Sequence, residues 1–181
     1  MHYVPFSILC FFLIMGTASY AQPSGGSDAA SSARPVVVPA GEGDVAVAES
    51  GTRLQFKLGS LSNGAEQTMA ATFTVPPGHE TVTHLHEIDE ETFYITEGEF
   101  TVTLGDEVFT AGPGAVVFAP PGTWMSFANR TESEASGLIL LSRGETEECF
   151  RVLFSADSDE AARRAAVAQC RLQFPTEPSE Q

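Results

Sequence analysis

The stretch 78–98, GHETVTHLHEIDEETFYITEG, decides how the rest of the chain is interpreted. It places His84 and His86 two residues apart, and a group of acids follows them. If residues 84–86 are extended, side chains two residues apart share a face, so the imidazoles lie about 7 Å apart along one strand. Glu91, arriving from the next strand, would complete a set of two histidines and one carboxylate, which leaves coordination positions free. The stretch therefore predicts a metal site inside a β structure.

The length and the amino-terminal composition predict one exported domain. The chain has 181 residues and 43% apolar composition, enough for a single core. Residues 8–15, ILCFFLIM, form an apolar run followed by Ser19-Tyr20-Ala21. This pattern predicts a signal peptide at 1–21 and a secreted or periplasmic protein with no membrane contact after cleavage, although a retained membrane anchor is the alternative. Residues 22–34, rich in Ser, Gly and Ala, predict a disordered linker.

The formal net charge of -15 limits the partners of the chain. A strongly acidic protein is repelled by nucleic acid and by anionic lipid surfaces. We therefore expect no nucleic-acid partner and no polyanionic substrate.

Two cysteines, Cys149 and Cys170, remain after the predicted signal peptide is removed. In an oxidising compartment an even pair predicts a disulfide, here one that would pin a carboxyl-terminal helix to the barrel. Two unpaired buried thiols are the alternative.

Short alternating runs separated by turn residues predict an all-β fold of antiparallel strands, a sandwich or a barrel, over residues 35–154. Gly105-Asp106 predicts a tight hairpin. A helix is predicted at 155–175, with Asp157 and Glu160 as its capping box and Pro175 as its stop, before a tail at 176–181. The predicted strand runs are 36–38, 44–48, 52–58, 67–75, 81–86, 92–96, 100–104, 107–110, 115–118, 125–128 and 137–141.

Two spaced motifs resemble those of the cupin superfamily, in particular its small single-domain members similar to quercetin dioxygenases. The first consists of Gly78, His84, His86, Glu91 and Gly98; the second consists of Gly114, Pro120, Gly122 and Asn129. The resemblance implies a jelly-roll barrel with one divalent metal ion, commonly Mn, Fe, Ni, Cu or Zn, held by His84, His86 and Glu91. It also implies a small organic molecule as ligand and a homodimer.

Met125 departs from the second motif, since the family has a third histidine there. A thioether is a soft, weak ligand that suits copper better than Mn or Fe. One interpretation keeps a three-ligand metal and an oxygenase in which Glu91 takes a substrate proton. The other is a non-catalytic binding or structural cupin with weak or absent metal. Met125, Phe93, Trp124 and Phe127 are predicted to line the ligand pocket, although both interpretations are also compatible with Met125 as a core residue.

Three further residues in or near the first motif are expected to lie outside the ligand set. Glu90, one place out of the motif spacing, is predicted to be a surface acid or a neighbour of the ligands. Tyr94 should point to the opposite face from Glu91. His79 is predicted to be solvent-exposed in its loop, with a role at the barrel mouth as the alternative.

Overall fold

The chain folds into antiparallel β-sheets followed by two helices. A computed structural model describes residues 34–175. The strands are β1 (Val45–Val47), β2 (Arg53–Leu58), β3 (Met69–Val75), β4 (Leu85–His86), β5 (Glu91–Glu97), β6 (Phe100–Leu104), β7 (Glu107–Ala111), β8 (Val116–Ala119), β9 (Met125–Ala128), β10 (Ala135–Leu141) and β11 (Leu172–Gln173). The helices are α1 (Ser60–Asn63), α2 (Thr146–Leu153) and α3 (Glu160–Gln169).

A six-stranded sheet in the order β1-β2-β3-β10-β5-β8 and a three-stranded sheet in the order β7-β6-β9 enclose the core. All pairings within these sheets are antiparallel. The period-2 pattern places alternate side chains inside, and β10 alternates buried and half-buried residues along its whole length. The core joins the two sheets through residues such as Phe56, Phe73, Ile95, Val102 and Phe127. The predicted all-β jelly-roll class is confirmed.

Glycines allow the two tight connections around β6. Gly98 links β5 to β6 with a positive φ of 73°, and a Cβ there would lie 2.6 Å from the Cβ of Ala135. Gly105 has a φ of 58° in the two-residue turn that pairs Leu104 with Glu107, as the sequence predicted.

Several predicted element bounds are wrong. Residues 36–38 form no strand, and the predicted strand 81–86 is reduced to β4, preceded by isolated bridges from Glu80 to Ala128 and from His84 to Met125. The predicted signal peptide 1–21, the tail 176–181 and all of the predicted linker except Arg34 lie outside the described residues.

The carboxyl-terminal helix is shorter than predicted. The predicted helix 155–175 contains α3 and then β11, while α2 lies in the span assigned to the barrel. The cap is Asp159 rather than Asp157, because its carboxylate accepts a hydrogen bond of 2.8 Å from the Ala162 amide. The helix ends early because Arg171 adopts a left-handed φ of 52°, so the chain turns back before Pro175.

The predicted disulfide is present. Cys149 on α2 and Cys170 at the end of α3 are bonded, and both are buried. Within residues 34–175, no helix combines the length and the apolar character needed to cross a membrane.

Glu147 joins α1 to α2 as a buried charged group. Its carboxylate accepts hydrogen bonds of 2.9 Å from the amides of Leu61 and Ser62 and of 3.0 Å from Arg151 Nε. Gly59 makes room for it, since a Cβ there would lie 2.2 Å from Glu147 Oε2. Burial alone raises the pKa of Glu147, but the hydrogen bonds from Ser62 and the hydrogen bond and charge of Arg151 outweigh it, so the pKa lies below its ordinary value of 4.5.

We expect Glu147 to make folding acid-sensitive. Because its pKa is lower in the folded than in the unfolded chain, its contribution is complete above pH 4.5 and is lost as the pH falls through the folded pKa. Glu147→Gln should cost about 1–3 kcal/mol at pH 7 and flatten the loss of stability below pH 5. Urea unfolding at pH 7 and at a pH below 5 measures the free energy of unfolding of each variant. Glu107→Gln removes an exposed carboxylate as the control, and equal pH dependence in wild type and Glu147→Gln would contradict the assignment.

Candidate metal centre

The two histidines lie on an extended segment that runs antiparallel to β9. His84 and Met125 exchange backbone hydrogen bonds of 2.9 and 2.8 Å, and Thr81 donates to the carbonyl of Phe127. Extended geometry turns the imidazoles of His84 and His86 to one side, with ring centroids 5.4 Å apart. The predicted sharing of one face is therefore observed.

Hydrogen bonding and stacking orient the two rings. His84 Nδ1 lies 2.8 Å from the carbonyl oxygen of Val82, which assigns the proton to Nδ1 and leaves Nε2 free to act as a ligand. His86 is 1% exposed and stacks on Phe150 at 6.2 Å. Backbone pairing with Leu172 on β11 holds the strand that carries His86.

Glu91 completes the cluster from β5. It is the first residue of that strand and is paired on both sides, with Ala119 of β8 and Leu141 of β10. Its Oε2 lies 3.2 Å from His86 Nε2. Potential ligand atoms of His84, His86 and Glu91 all lie within 4.8 Å of one another.

The cluster has the unsatisfied atoms that a metal site requires. Within residues 34–175, the buried side-chain nitrogens and oxygens without a hydrogen-bond partner are His86 Nδ1, His86 Nε2 and Glu91 Oε2. Leaving such atoms unpaired in an apolar interior costs about 1–3 kcal/mol each, so a cation bound by His86 Nε2 and Glu91 Oε2 would remove part of this penalty. Two imidazoles and one carboxylate suit a borderline divalent ion. The residues fit a metal.

Asp89 and Arg143 flank the cluster, and no sequence pattern indicated their roles. Asp89 is buried, and its carboxylate accepts hydrogen bonds of 2.7 and 2.8 Å from Arg143. One Asp89 oxygen lies 3.9 Å from His86 Nδ1. The hydrogen bonds from Arg143 to Asp89 raise the pKa of the Arg143 guanidinium.

A cavity of about 380 Å³ opens above the cluster. His84, His86 and Glu91 line it together with His79, Glu80 and Thr81. Most of the remaining lining is aromatic or aliphatic, including seven phenylalanines: Phe73, Phe93, Phe100, Phe127, Phe150, Phe154 and Phe174.

The predicted pocket residues divide into two groups. Phe93 and Phe127 line the cavity, with ring centroids 4.0 Å apart. Trp124 and Met125 do not belong to the lining: Trp124 is half-buried next to β9, and Met125 is 1% exposed within the core. Met125 nevertheless shares a face with His84, because the two residues form a hydrogen-bonded antiparallel pair.

The other candidate residues also have definite positions. Tyr94 is 45% exposed and points away from Glu91, as predicted, and Glu90 is exposed. His79, predicted to be solvated, is half-buried at the cavity. Asn129, the last residue of the second motif, is fully buried and donates to the carbonyls of Val75 and Ser133, so it joins loops rather than offering an accessible amide.

Sequence comparison identifies two curated relatives. Over 120 residues the chain is 30% identical to quercetin 2,3-dioxygenase of Bacillus subtilis, an alignment that covers 66% of this chain and 34% of that protein. Over 64 residues it is 36% identical to the uncharacterized protein MJ1618 of Methanocaldococcus jannaschii, covering 35% of this chain and 50% of the relative. The chain thus spans between a third and a half of these proteins.

Structural comparison supports the fold. KdgF from Halomonas sp. superposes with a TM-score of 0.56 at 21% identity, over 64% of this chain and 99% of that one. At this identity the similarity is one of fold alone. Residues 71–141 match the family model for the cupin domain, and this segment contains both histidines, Glu91 and Met125. The match places a cupin domain at residues 71–141 of this chain.

Proposed function

We propose that this protein is an exported cupin that holds one divalent metal ion through His84, His86 and Glu91 and acts on a small organic molecule as an oxygenase similar to quercetin dioxygenase. The observation that carries the proposal is the convergence of three ligand types within 4.8 Å, with His86 Nε2 and Glu91 Oε2 buried and without hydrogen-bond partners. The relationship to the Bacillus subtilis quercetin 2,3-dioxygenase supports the reaction class.

The cavity favours an uncharged, largely apolar ligand. A volume of about 380 Å³ lies in the range of small-molecule sites, and the phenylalanines offer faces and edges to a planar ring. Among the described lining residues Arg163 is the one Lys or Arg, and its guanidinium already donates to the carbonyls of Leu153, Ser155 and Ser158. An anionic ligand would therefore find no free Lys or Arg side chain among the described lining residues, and the proposed metal ion would be its cationic partner.

Different residues of the chain would have different roles at such a site. His84 and His86 supply neutral nitrogen ligands, and the apolar walls exclude water. Glu91 is the lining carboxylate best placed to accept a proton from a ligand hydroxyl group, since Glu80, the other lining carboxylate, forms an ion pair of 2.8 Å with Arg130. A divalent ion would supply Lewis acidity and a fixed point for an oxygen atom of the ligand.

Export is part of the proposal. The buried bond between Cys149 and Cys170 fits an oxidising compartment, where structural disulfides persist. Sequencing the amino terminus of the protein recovered from outside the cytoplasm tests the cleavage expected after about Ala21, and an intact Met1 would contradict it.

A non-catalytic small-molecule-binding cupin is the second candidate, favoured by Met125 in place of the family's third histidine. Oxygen uptake separates the two. The metal-loaded protein with quercetin and related ring compounds should consume oxygen if it is an oxygenase. Ligand binding by calorimetry without oxygen uptake would instead identify a binding protein.

We expect the purified protein to contain about one divalent ion per chain after growth with Mn, Fe, Ni, Cu and Zn. His84→Ala and Glu91→Gln should each lower the bound metal, because each removes a ligand, and elemental analysis measures it. His79→Ala is the matched control, since His79 lines the same cavity outside the three-residue cluster. Far-UV circular dichroism verifies folding. Metal-free wild type, or equal loss in His79→Ala, would refute the site.

Met125→His should tighten metal binding by about tenfold or more, because it adds an imidazole on the face that carries His84. Competition with a chromogenic chelator measures the Kd. Met125→Leu, which keeps the volume without adding a ligand, should bind as wild type does. Unchanged affinity in Met125→His would show that residue 125 does not reach the ion.

A further inference from the structure

The carboxyl-terminal segment 170–174 lies against the strand that carries the histidines. β11 pairs with β4, with Leu172 opposite His86 and Gln173 opposite Leu85. The Glu87 amide donates to the carbonyl of Arg171 at 3.1 Å, which extends the ladder by one bond. Because β4 has only two residues and both pair with β11, this pairing contributes much of the backbone hydrogen bonding on that side of β4.

Side chains on this segment close the cavity. Leu172 and Phe174 both belong to the lining, and the Phe174 ring lies 6.4 Å from the His84 ring. Phe174 is 42% exposed, so one side of the ring meets solvent while the other faces the cavity. Phe174 therefore lies at the boundary between solvent and the cavity, next to the His84 ring.

Two independent attachments hold the segment in place. Cys170 is bonded to Cys149 on α2, within a small buried cluster that includes Ala166 and packs against Leu172. Outside this cluster, Glu87 forms an ion pair of 2.8 Å with Arg171 and accepts a hydrogen bond from Gln173. These two partners lower the pKa of Glu87, the hydrogen bond from Gln173 being the larger cause.

Few other contacts replace these attachments. The segment follows the left-handed turn at Arg171, a conformation that costs a non-glycine residue about 1–2 kcal/mol and that the neighbouring contacts must maintain. Two-residue strands have little intrinsic stability, so without a tether the segment is expected to open locally. The disulfide is 1% exposed at each cysteine, which makes it a permanent structural bond rather than an exchangeable one.

We infer that residues 170–174 form a strap that closes the cavity beside His84, that the Cys149–Cys170 disulfide latches the strap, and that Phe174 controls the passage of ions and ligands to the cluster. The inference rests on the proposed metal site for its consequence, but the closure itself is a property of the fold. Phe174 acts by limiting access and is not a catalytic residue.

The first test of the strap needs no metal. Diethylpyrocarbonate acylates accessible imidazole nitrogens, and the hydrogen bond of His84 Nδ1 leaves Nε2, inside the cavity, as the reactive atom. We expect Phe174→Ala to raise the acylation rate of His84 about tenfold, which corresponds to about 1.4 kcal/mol of closure. Phe109→Ala is the control, since Phe109 is 45% exposed and lies on β7, outside this cavity lining. Peptide mass mapping measures the acylation rate of each histidine separately. An unchanged rate at His84 would overturn the role of Phe174.

The second test addresses the latch. In Cys149→Ala/Cys170→Ala the amide of Glu87 should exchange hydrogen about tenfold faster, and His84 should be acylated faster. Val102→Ala, which truncates a fully buried side chain on β6 away from α2, α3 and the strap, controls for general loss of stability. Wild-type exchange at Glu87 in the cysteine variant would overturn the latch.

Metal release then separates this inference from the proposed function. Cobalt(II) should transfer to excess EDTA about tenfold more slowly from wild type than from Phe174→Ala. The absorbance of the bound cobalt follows this transfer. If wild type binds no cobalt while His84 acylation changes as expected, the metal proposal fails and the strap stands. If cobalt binds and Phe174→Ala alters neither its release nor His84 acylation, the strap fails and the metal site stands.

Discussion

The contact between His86 and Glu91 is the constraint on which the centre of this molecule depends. Their side-chain nitrogen and oxygen lie 3.2 Å apart, almost fully buried, without other partners among the described residues. A buried polar pair of this kind destabilises a fold unless its atoms are satisfied. The sheets hold the pair nonetheless, because Glu91 is fixed between two neighbouring strands and His86 between β11 and the ring of Phe150. The fold therefore keeps an unfavourable buried polar pair at the place where a metal ion could be held.

Charge and polarity are distributed so that this set stands in an apolar space. The net charge of -15 belongs mostly to exposed acids, whereas the cavity presents phenylalanine rings. The buried acid nearest to the histidines, Asp89, is neutralised by Arg143. The polar lining residues of the cavity are the three-residue cluster, His79 with Glu80 and Thr81, and a third group of Ser50, Thr52 and Arg163.

Residues far apart in sequence complete the site. The histidines come from the strand after a loop, Glu91 from the next strand, and Phe150 and Phe174 from beyond the barrel. α2, α3 and β11 thus form part of the cavity wall rather than an appendage, and one disulfide ties them together. The prediction of a single docking helix at 155–175 therefore missed β11, a structural element of the site. β11 is too short to produce a periodic signal, and Leu172 pairs with His86, a residue 86 positions earlier in the chain.

The sequence alone determined the all-β class, the bounds of β6 and β9, the disulfide and the three candidate ligands, because alternation, turn glycines and the motif spacing are local signals. Only the tertiary structure decided which aromatic residues line the cavity: it includes Phe150 and Phe174 and leaves out Trp124, although all are plausible from composition. It also decided that Met125 packs in the core on the face of His84, and that Asp89 and Arg143 pair beside His86. Those outcomes depend on which strands become neighbours, and pairings between distant residues leave no trace in any one stretch of the chain.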